Sequence, residues 1–457
     1  MIKNVSVFLF IFLVIFFFIL IFRNKKEFFY NNFKFKKIYI DNQHKKYLKS
    51  CRFDLMAKYL YVKSKDKRYN TKFFRKLYLE HILSFNNCYE KSNIYSLNNK
   101  KNKCEDFIIN FDKLINNIKN NGFSKNNPIP IGKNNIIIDG AHRLITSYYF
   151  KKKSYFIKVN NKEPTYNYNY FLQKTKHRNL DRLYADRIAL EYINHNKNIR
   201  AMIIYPRGYD CNKFNKLFEI INKYGIIYYE KNIKLSKIGL NNLVNECYRG
   251  EDWIGGMFPT KKENGKTKRV KSNINNVKLL LIDIKNLNNS VILKEKCREL
   301  YNMGKHSLHM SDYNEDTFRI ASSLLNKNSI NYLNSANVKI TENTKKNLLK
   351  YFEKVKVDEN FCLTSSIVLE MYGLREANDL DYLNFNNTKI DIKNISIHNN
   401  KWLSYYPISR DEIIFNPKYH FYFYGHKVAT LEVIKEMKNN RNEKKDIYDI
   451  KIISKLI

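Results

Sequence analysis

Asp379 and Asp381 stand one residue apart in the run Asp379-Leu380-Asp381-Tyr382-Leu383. On a strand, side chains at i and i+2 share a face about 6–7 Å apart. Two carboxylates so placed can share divalent metal ions that clamp the attacking and leaving oxygens of a phosphoryl transfer. An isolated Asp-x-Asp is ordinarily a solvated turn. Here the hydroxyls of Ser365 and Ser366 precede it, with a predicted helix and the turn Gly373-Leu374-Arg375 between. The chemistry asks for a third carboxylate, as general base or metal ligand. Asp391 has a strand context but follows closely on Asp381, Asp411 is the other candidate, and the choice stays open.

Two further segments carry phosphate chemistry. Pro128–Arg143 reads PIPIGKNNIIIDGAHR, which predicts two short strands and a helix opened by Asp139-Gly140. His142 and Arg143 fall in the first helical turn, where free N–H groups and a guanidinium suit an anion. The alternative is a surface charge at Arg143 and a packing histidine at His142. Further on, His306-Ser307-Leu308-His309-Met310-Ser311-Asp312 puts His309 just before a predicted helix start. A structural histidine is the alternative there.

These residues carry three resemblances. Ser365-Ser366, Gly373 and Asp379-x-Asp381 resemble the signature of the polymerase-beta-type nucleotidyltransferase fold over residues 345–457. That resemblance implies nucleotide phosphates against the Ser365-Ser366 helix start, with Arg375 nearby, and Mg²⁺ or Mn²⁺ on Asp379 and Asp381. Ser365 stands where the family has glycine, a substitution without strain if the backbone there has φ < 0. Asn440–Ile450 resembles the terminal helix of some of these enzymes. Gly140-Ala141-His142-Arg143 resembles the phosphate-binding turn of the ParB and sulfiredoxin-like fold over residues 100–160. Ala141 replaces the sulfiredoxin cysteine, which removes that chemistry. His309-Met310-Ser311-Asp312 is similar to the nucleoside diphosphate kinase segment in which a phosphate-accepting His precedes Gly-Ser-Asp. Tyr205 in place of a lysine, and Ile320 in place of the His-orienting Glu, imply a degenerate kinase-like domain in which Lys294, Arg298 and His309 could still hold a phosphate. The combination also resembles proteins of surface-polysaccharide loci.

The elements that position these residues follow from the rest of the chain. Its 457 residues allow two to four domains. Hydrophobic content of 44% and aromatic content of 15% supply packed cores. The net charge of +39 comes from scattered lysines in an Asn-, Ile- and Tyr-rich chain with only 13 Gly and 7 Pro, the composition an AT-rich genome produces. It therefore points to anionic substrates or an anionic leaflet rather than to a nucleic-acid partner. Seven cysteines without a CxxC or a metal spacing read as thiols of a reducing compartment.

Val5–Phe22 is an almost uninterrupted apolar run, about 27 Å long as a helix. With Arg23, Lys25 and Lys26 after it, it predicts a single-pass signal-anchor with the C-terminal bulk in the cytoplasm. The expected fold class is α+β multidomain: a transmembrane helix (5–22), a basic juxtamembrane segment (27–50), a helical lead-in with a ParB-like domain (51–160), a linker with one helix (161–197), a ferredoxin-like domain (198–335) and a nucleotidyltransferase-like α/β domain (341–457). The expected function is a membrane-anchored nucleotidyltransferase using Mg²⁺ or Mn²⁺, with an NTP and a sugar or phosphate-bearing acceptor as partners. The alternatives are a non-catalytic nucleotide-binding membrane scaffold and a phosphotransferase using Arg143 or His309.

Overall fold

The computed structural model of the protein describes residues 38–90, 101–174, 178–259, 265–273 and 275–457. The chain divides into two units. One joins the N-terminal residues up to Tyr47 with Asp112–Pro164, and the other joins Leu48–Phe111 with Thr165–Ile457.

The first unit holds β1 (Ile38–Asp41), β2 (Ile129–Ile131) and β3 (Ser154–Lys158) in the order β1-β3-β2. Residues 38–47, expected as a juxtamembrane segment, are thus partly built into this unit: β1 pairs antiparallel with β3, and His44 and Tyr47 are buried. The transmembrane helix written into the expected architecture must be withdrawn from the fold. Among the described residues no helix is long and apolar enough to cross a membrane. The run 5–22 on which that expectation rests lies outside the described residues.

The second unit begins with α1 (Asp54–Lys67), α2 (Phe73–Asn86) and the start of α3 (Cys104–Asn121). Cys88 and Cys104 form a disulfide, so they are not the free thiols expected. Helix α4 (Ala141–Tyr149) belongs to the first unit. Helix α5 (Arg182–His195), expected inside a linker, packs instead against α1 and is largely buried.

A four-stranded antiparallel sheet follows: β4 (Ile199–Ile204), β5 (Gly225–Lys234), β6 (Asn276–Ile284) and β7 (Leu308–Met310), in the order β5-β6-β4-β7. The nearly continuous apolar run of β6 suits a strand covered on both faces. On one face Met202, Leu280 and Ile282 meet Leu217 and Ile221 of α6 (Phe214–Tyr224). Helices α7 (Lys237–Cys247), α8 (Gly265–Val270), α9 (Ser290–Tyr301), α10 (Asn314–Leu324) and α11 (Lys327–Ser335) complete this region. Leu293 and Cys297 of α9 join the same core, and α10 packs against β4.

The C-terminal sheet positions the candidate site. After α12 (Glu342–Val355) come β8 (Phe361–Thr364), the short α13 (Ser366–Met371), β9 (Leu380–Asn384) and β10 (Ile395–Ile397). Then follow α14 (Arg410–Phe415), β11 (His420–Phe423), β12 (His426–Ala429), α15 (Leu431–Arg441) and α16 (Lys444–Ser454). The sheet order is β10-β9-β8-β12-β11. β8 and β9 are antiparallel and buried along their whole length, as their apolar sequences require.

Candidate functional site at the Asp379–Asp381 strand

The antiparallel register sets Thr364, the last residue of β8, opposite Asp381 on β9. The chain then turns through Ser365 at φ 66°, ψ −140° before α13 begins at Ser366. The condition under which serine replaces the family's glycine without strain, φ < 0, is not met: Ser365 holds a conformation that suits glycine, a departure from the resemblance. The turn brings the two halves of the motif together, because the Ser366 hydroxyl donates to Asp379 Oδ1 at 3.3 Å. Gly373 closes α13 at φ 73°, where an added Cβ would lie 2.0 Å from the Asn337 carbonyl oxygen, so only glycine fits.

Glu370, which sequence reasoning missed, anchors the connection to Asp379. Its buried carboxylate accepts from Thr341 N at 2.7 Å, Thr344 Oγ1 at 2.8 Å and Ala377 N at 2.6 Å. It thereby ties α13 to the start of α12 and to the loop that carries Asp379.

Asp379 is exposed and Asp381 is buried. Asp381 Oδ1 lies 3.2 Å from His398 Nε2. The imidazole stacks on Trp402, with ring centroids 5.5 Å apart, and its Nδ1 is 3.4 Å from the Tyr406 hydroxyl. Tyr406 also shares a 2.8 Å hydrogen bond with Thr364 Oγ1. Burial, with the Asp381 carboxylate nearby, pushes the Tyr406 phenol up, so it keeps its proton. Thr364, Tyr406, His398 and Asp381 therefore form a polar chain, whose two ends are register partners across β8 and β9. His398 and Tyr406 carried no local motif. Their only signal was polar and aromatic residues shortly after a strand pattern.

The other predicted residues are placed differently. Asp411 is buried away from the pair, with Oδ2 accepting from Asn70 N at 2.8 Å and Oδ1 from Arg410 Nε at 3.0 Å. It fastens α14 to the loop before α2. Asp391 is exposed in the loop before β10, where Ser396, not a carboxylate, is the register partner of Asp381. Among the described residues no three His, Cys, Asp or Glu side chains converge as a metal cage.

Arg375 is committed to Asp449 through a bidentate pair at 2.5 and 2.7 Å, and its remaining arm donates to the Glu376 carbonyl. Lys438 meets Asp449 at 2.7 Å and Asp446 at 3.2 Å, and Arg441 meets Asp446 at 2.6 Å. The segment 440–450 is thus an internal ion network. Against the burial that would raise it, the Arg441 hydrogen bond and the Lys438 charge draw Asp446 down to about 2.

His309 sits on β7 of the four-stranded sheet, opposite Ile203 and edge-on to Tyr248. Burial and the surrounding charges of Lys294, Arg319, Lys266 and Arg298 pull it down to about 3, so the ring is neutral. Lys294 is itself paired with Asp312 at 2.6 Å. In the first unit, Gly140 at φ 82° precedes α4. Arg143 folds back to donate to the Asn127 carbonyl at 2.6 Å and lies 3.4 Å from Asp139. His142 is half-buried in the first turn of α4. The guanidinium thus closes its own loop, and burial lowers its pKa.

Comparison with protein-family models, with curated proteins and with solved structures finds no significant match for this chain.

Proposed function

We propose that the protein is a metal-dependent nucleotidyltransferase, moving a nucleotidyl group from an NTP to a sugar or phosphate-bearing acceptor at Asp379 and Asp381. The observation that carries this reading is the convergence of the β8 turn on the Asp strand. Ser366 touches Asp379, and Thr364 lies opposite Asp381, across a turn strained enough to need support from its surroundings.

Magnesium commonly binds through one or two carboxylates, with substrate phosphates and water filling the other positions. An exposed Asp379 and a buried Asp381 fit that donor set. The metal would neutralise phosphate charge at the reacting centre. The chain's own contribution is positional. Ser366 holds Asp379, His398 holds Asp381, and the protonated Tyr406 fixes His398 against Thr364.

A second reading, a non-catalytic nucleotide-binding scaffold, draws support from Asp411, whose carboxylate is occupied by Asn70 and Arg410. Pyrophosphate release in a screen of NTPs, Mg²⁺ or Mn²⁺, and sugar or sugar-phosphate acceptors tests the proposal. Release that disappears in the Asp379→Asn/Asp381→Asn double variant is expected. A phosphohistidine that is lost in His309→Ala, with release untouched by the double Asp variant, would replace this reading with phosphotransfer at His309.

A further inference from the structure

A cavity of about 410 Å³ opens elsewhere in the second unit, lined by α1, α5, α10, the loop 357–360 and the β11–β12 hairpin. It lies apart from the Asp379–Asp381 site along β8. Asn360 borders the cavity, whereas Thr364 faces Asp381 at the other end of the strand, about 13 Å of extended chain away.

The floor carries a charge network that is nearly spent. Buried Glu191 accepts from Arg187 at 2.7 Å and lies 3.4 Å from Lys63 and 3.3 Å from His195. Glu359, whose side chain is 28% exposed, bridges Lys63 and Arg187 at the mouth. Asp358 is used by Asn360, whose backbone N–H and side-chain amide both donate to it at 2.8 Å.

Lys427 differs from the other cations. It is 8% exposed, and its ammonium donates at 2.7 Å to the Glu359 carbonyl. Among the described residues no carboxylate stands at ion-pair distance from it. The Glu359 carboxylate acts on it from beyond ion-pair distance, and burial outweighs that attraction. A buried ammonium so weakly compensated is costly, and an anion entering the cavity would relieve that cost. Phe318 and Tyr422, edge-to-face at 6.2 Å, give the same cavity an aromatic wall.

We propose that this cavity binds a small organic oxyanion, a phosphate or carboxylate on a ring-sized body, with the anionic group against Lys427 and the body against Phe318 and Tyr422. Glu359 acts as a placeholder at the mouth, its carboxylate lying between Lys63 and Arg187 where the ligand's charge would otherwise draw on them. The volume matches a small-molecule site of the usual size. The proposal is independent of nucleotidyl transfer.

The probe is phenyl phosphate, titrated calorimetrically into the full chain without divalent metal and located by hydrogen exchange over residues 356–361. Lys427→Gln is expected to weaken binding at least about tenfold, equivalent to about 1.4 kcal/mol. Glu359→Gln is expected to tighten it, because one competing carboxylate is removed. Lys345→Gln, a change on α12 away from the cavity, and Asp379→Asn/Asp381→Asn are expected to leave it unchanged. Unchanged affinity in Lys427→Gln, weaker binding in Glu359→Gln, or no protection over 356–361 would each overturn the assignment. Equal affinity for inorganic phosphate would overturn the organic body, since the aromatic wall would then contribute nothing. The opposite signs expected of the two cavity variants separate ligand binding from a general loss of folding.

Discussion

Replacing Ser365 by glycine should stabilise the protein. The residue sits at φ 66°, ψ −140°, next to a region of backbone space that is nearly reserved for glycine. Holding a side chain there costs about 1–3 kcal/mol. Glycine removes that cost and returns about 0.4–1 kcal/mol through the greater freedom of the unfolded chain. The Ser365 side chain makes no capping hydrogen bond to α13, so little else is lost. The net expectation is a gain of about 0.5–2 kcal/mol. Ser365→Ala keeps Cβ and the strain, and should stay within about 0.5 kcal/mol of the native protein. Because a chain of several domains does not unfold as one unit, the assay is hydrogen exchange of residues 361–371 under native conditions, which reads local opening. Slower exchange in Ser365→Gly but not in Ser365→Ala is the expected result. Equal exchange in the two variants, or faster exchange in Ser365→Gly, would refute the strain assigned to this turn.

Glu370→Gln puts an amide where backbone and hydroxyl donors converge, and should cost about 1–3 kcal/mol. Exchange across residues 374–379 would then accelerate, because Ala377 N loses its carboxylate acceptor. Asp411→Ala leaves the Asn70 N–H without its acceptor and should cost about 1–2 kcal/mol in denaturant unfolding while sparing nucleotide affinity. The opposite outcome, lost metal-dependent nucleotide binding at unchanged stability, would place Asp411 in the site. Asp446, drawn down to about 2, contributes stability that is fully present above the ordinary carboxylate range. That contribution is lost as pH falls through 2, because the unfolded state binds the proton first. Acid unfolding of the native protein followed at α15–α16, beside Asp446→Asn in which this part of the pH dependence is flattened, checks it.

The parts of the site legible in the sequence are those whose cause is local. The apolar run around Asp381 marks β9, although Asp379 falls in the bend just before the strand rather than on it, and Gly373 marks a turn where its carbon approaches Asn337. The partners of those residues lie far along the chain, and side-chain type does not encode them. Arg375 reads as a phosphate ligand until Asp449, on the last helix, takes both of its forks. Asp411 reads as a third carboxylate until the backbone of Asn70 occupies it. Arg143 has the position expected of it, but its donors turn to the carbonyls of its own loop. His398 and Glu370 act through contacts across the sheet and between helices, so no spacing pointed to them. The four-stranded sheet was the easier part. Its strands alternate with helices along the chain, which suits a ferredoxin-like unit, whereas the order β5-β6-β4-β7 is seen only in the structure.

In the proposed function, Asp379 and Asp381 hold the metal through which an NTP binds. Its most direct test is calorimetric titration of each NTP into the full chain with Mg²⁺, with Mn²⁺ and with chelator, beside Asp379→Asn/Asp381→Asn. Binding is expected to require the metal and to weaken at least about tenfold, about 1.4 kcal/mol, in the double variant. Metal-dependent NTP binding of equal affinity in the double variant would contradict it.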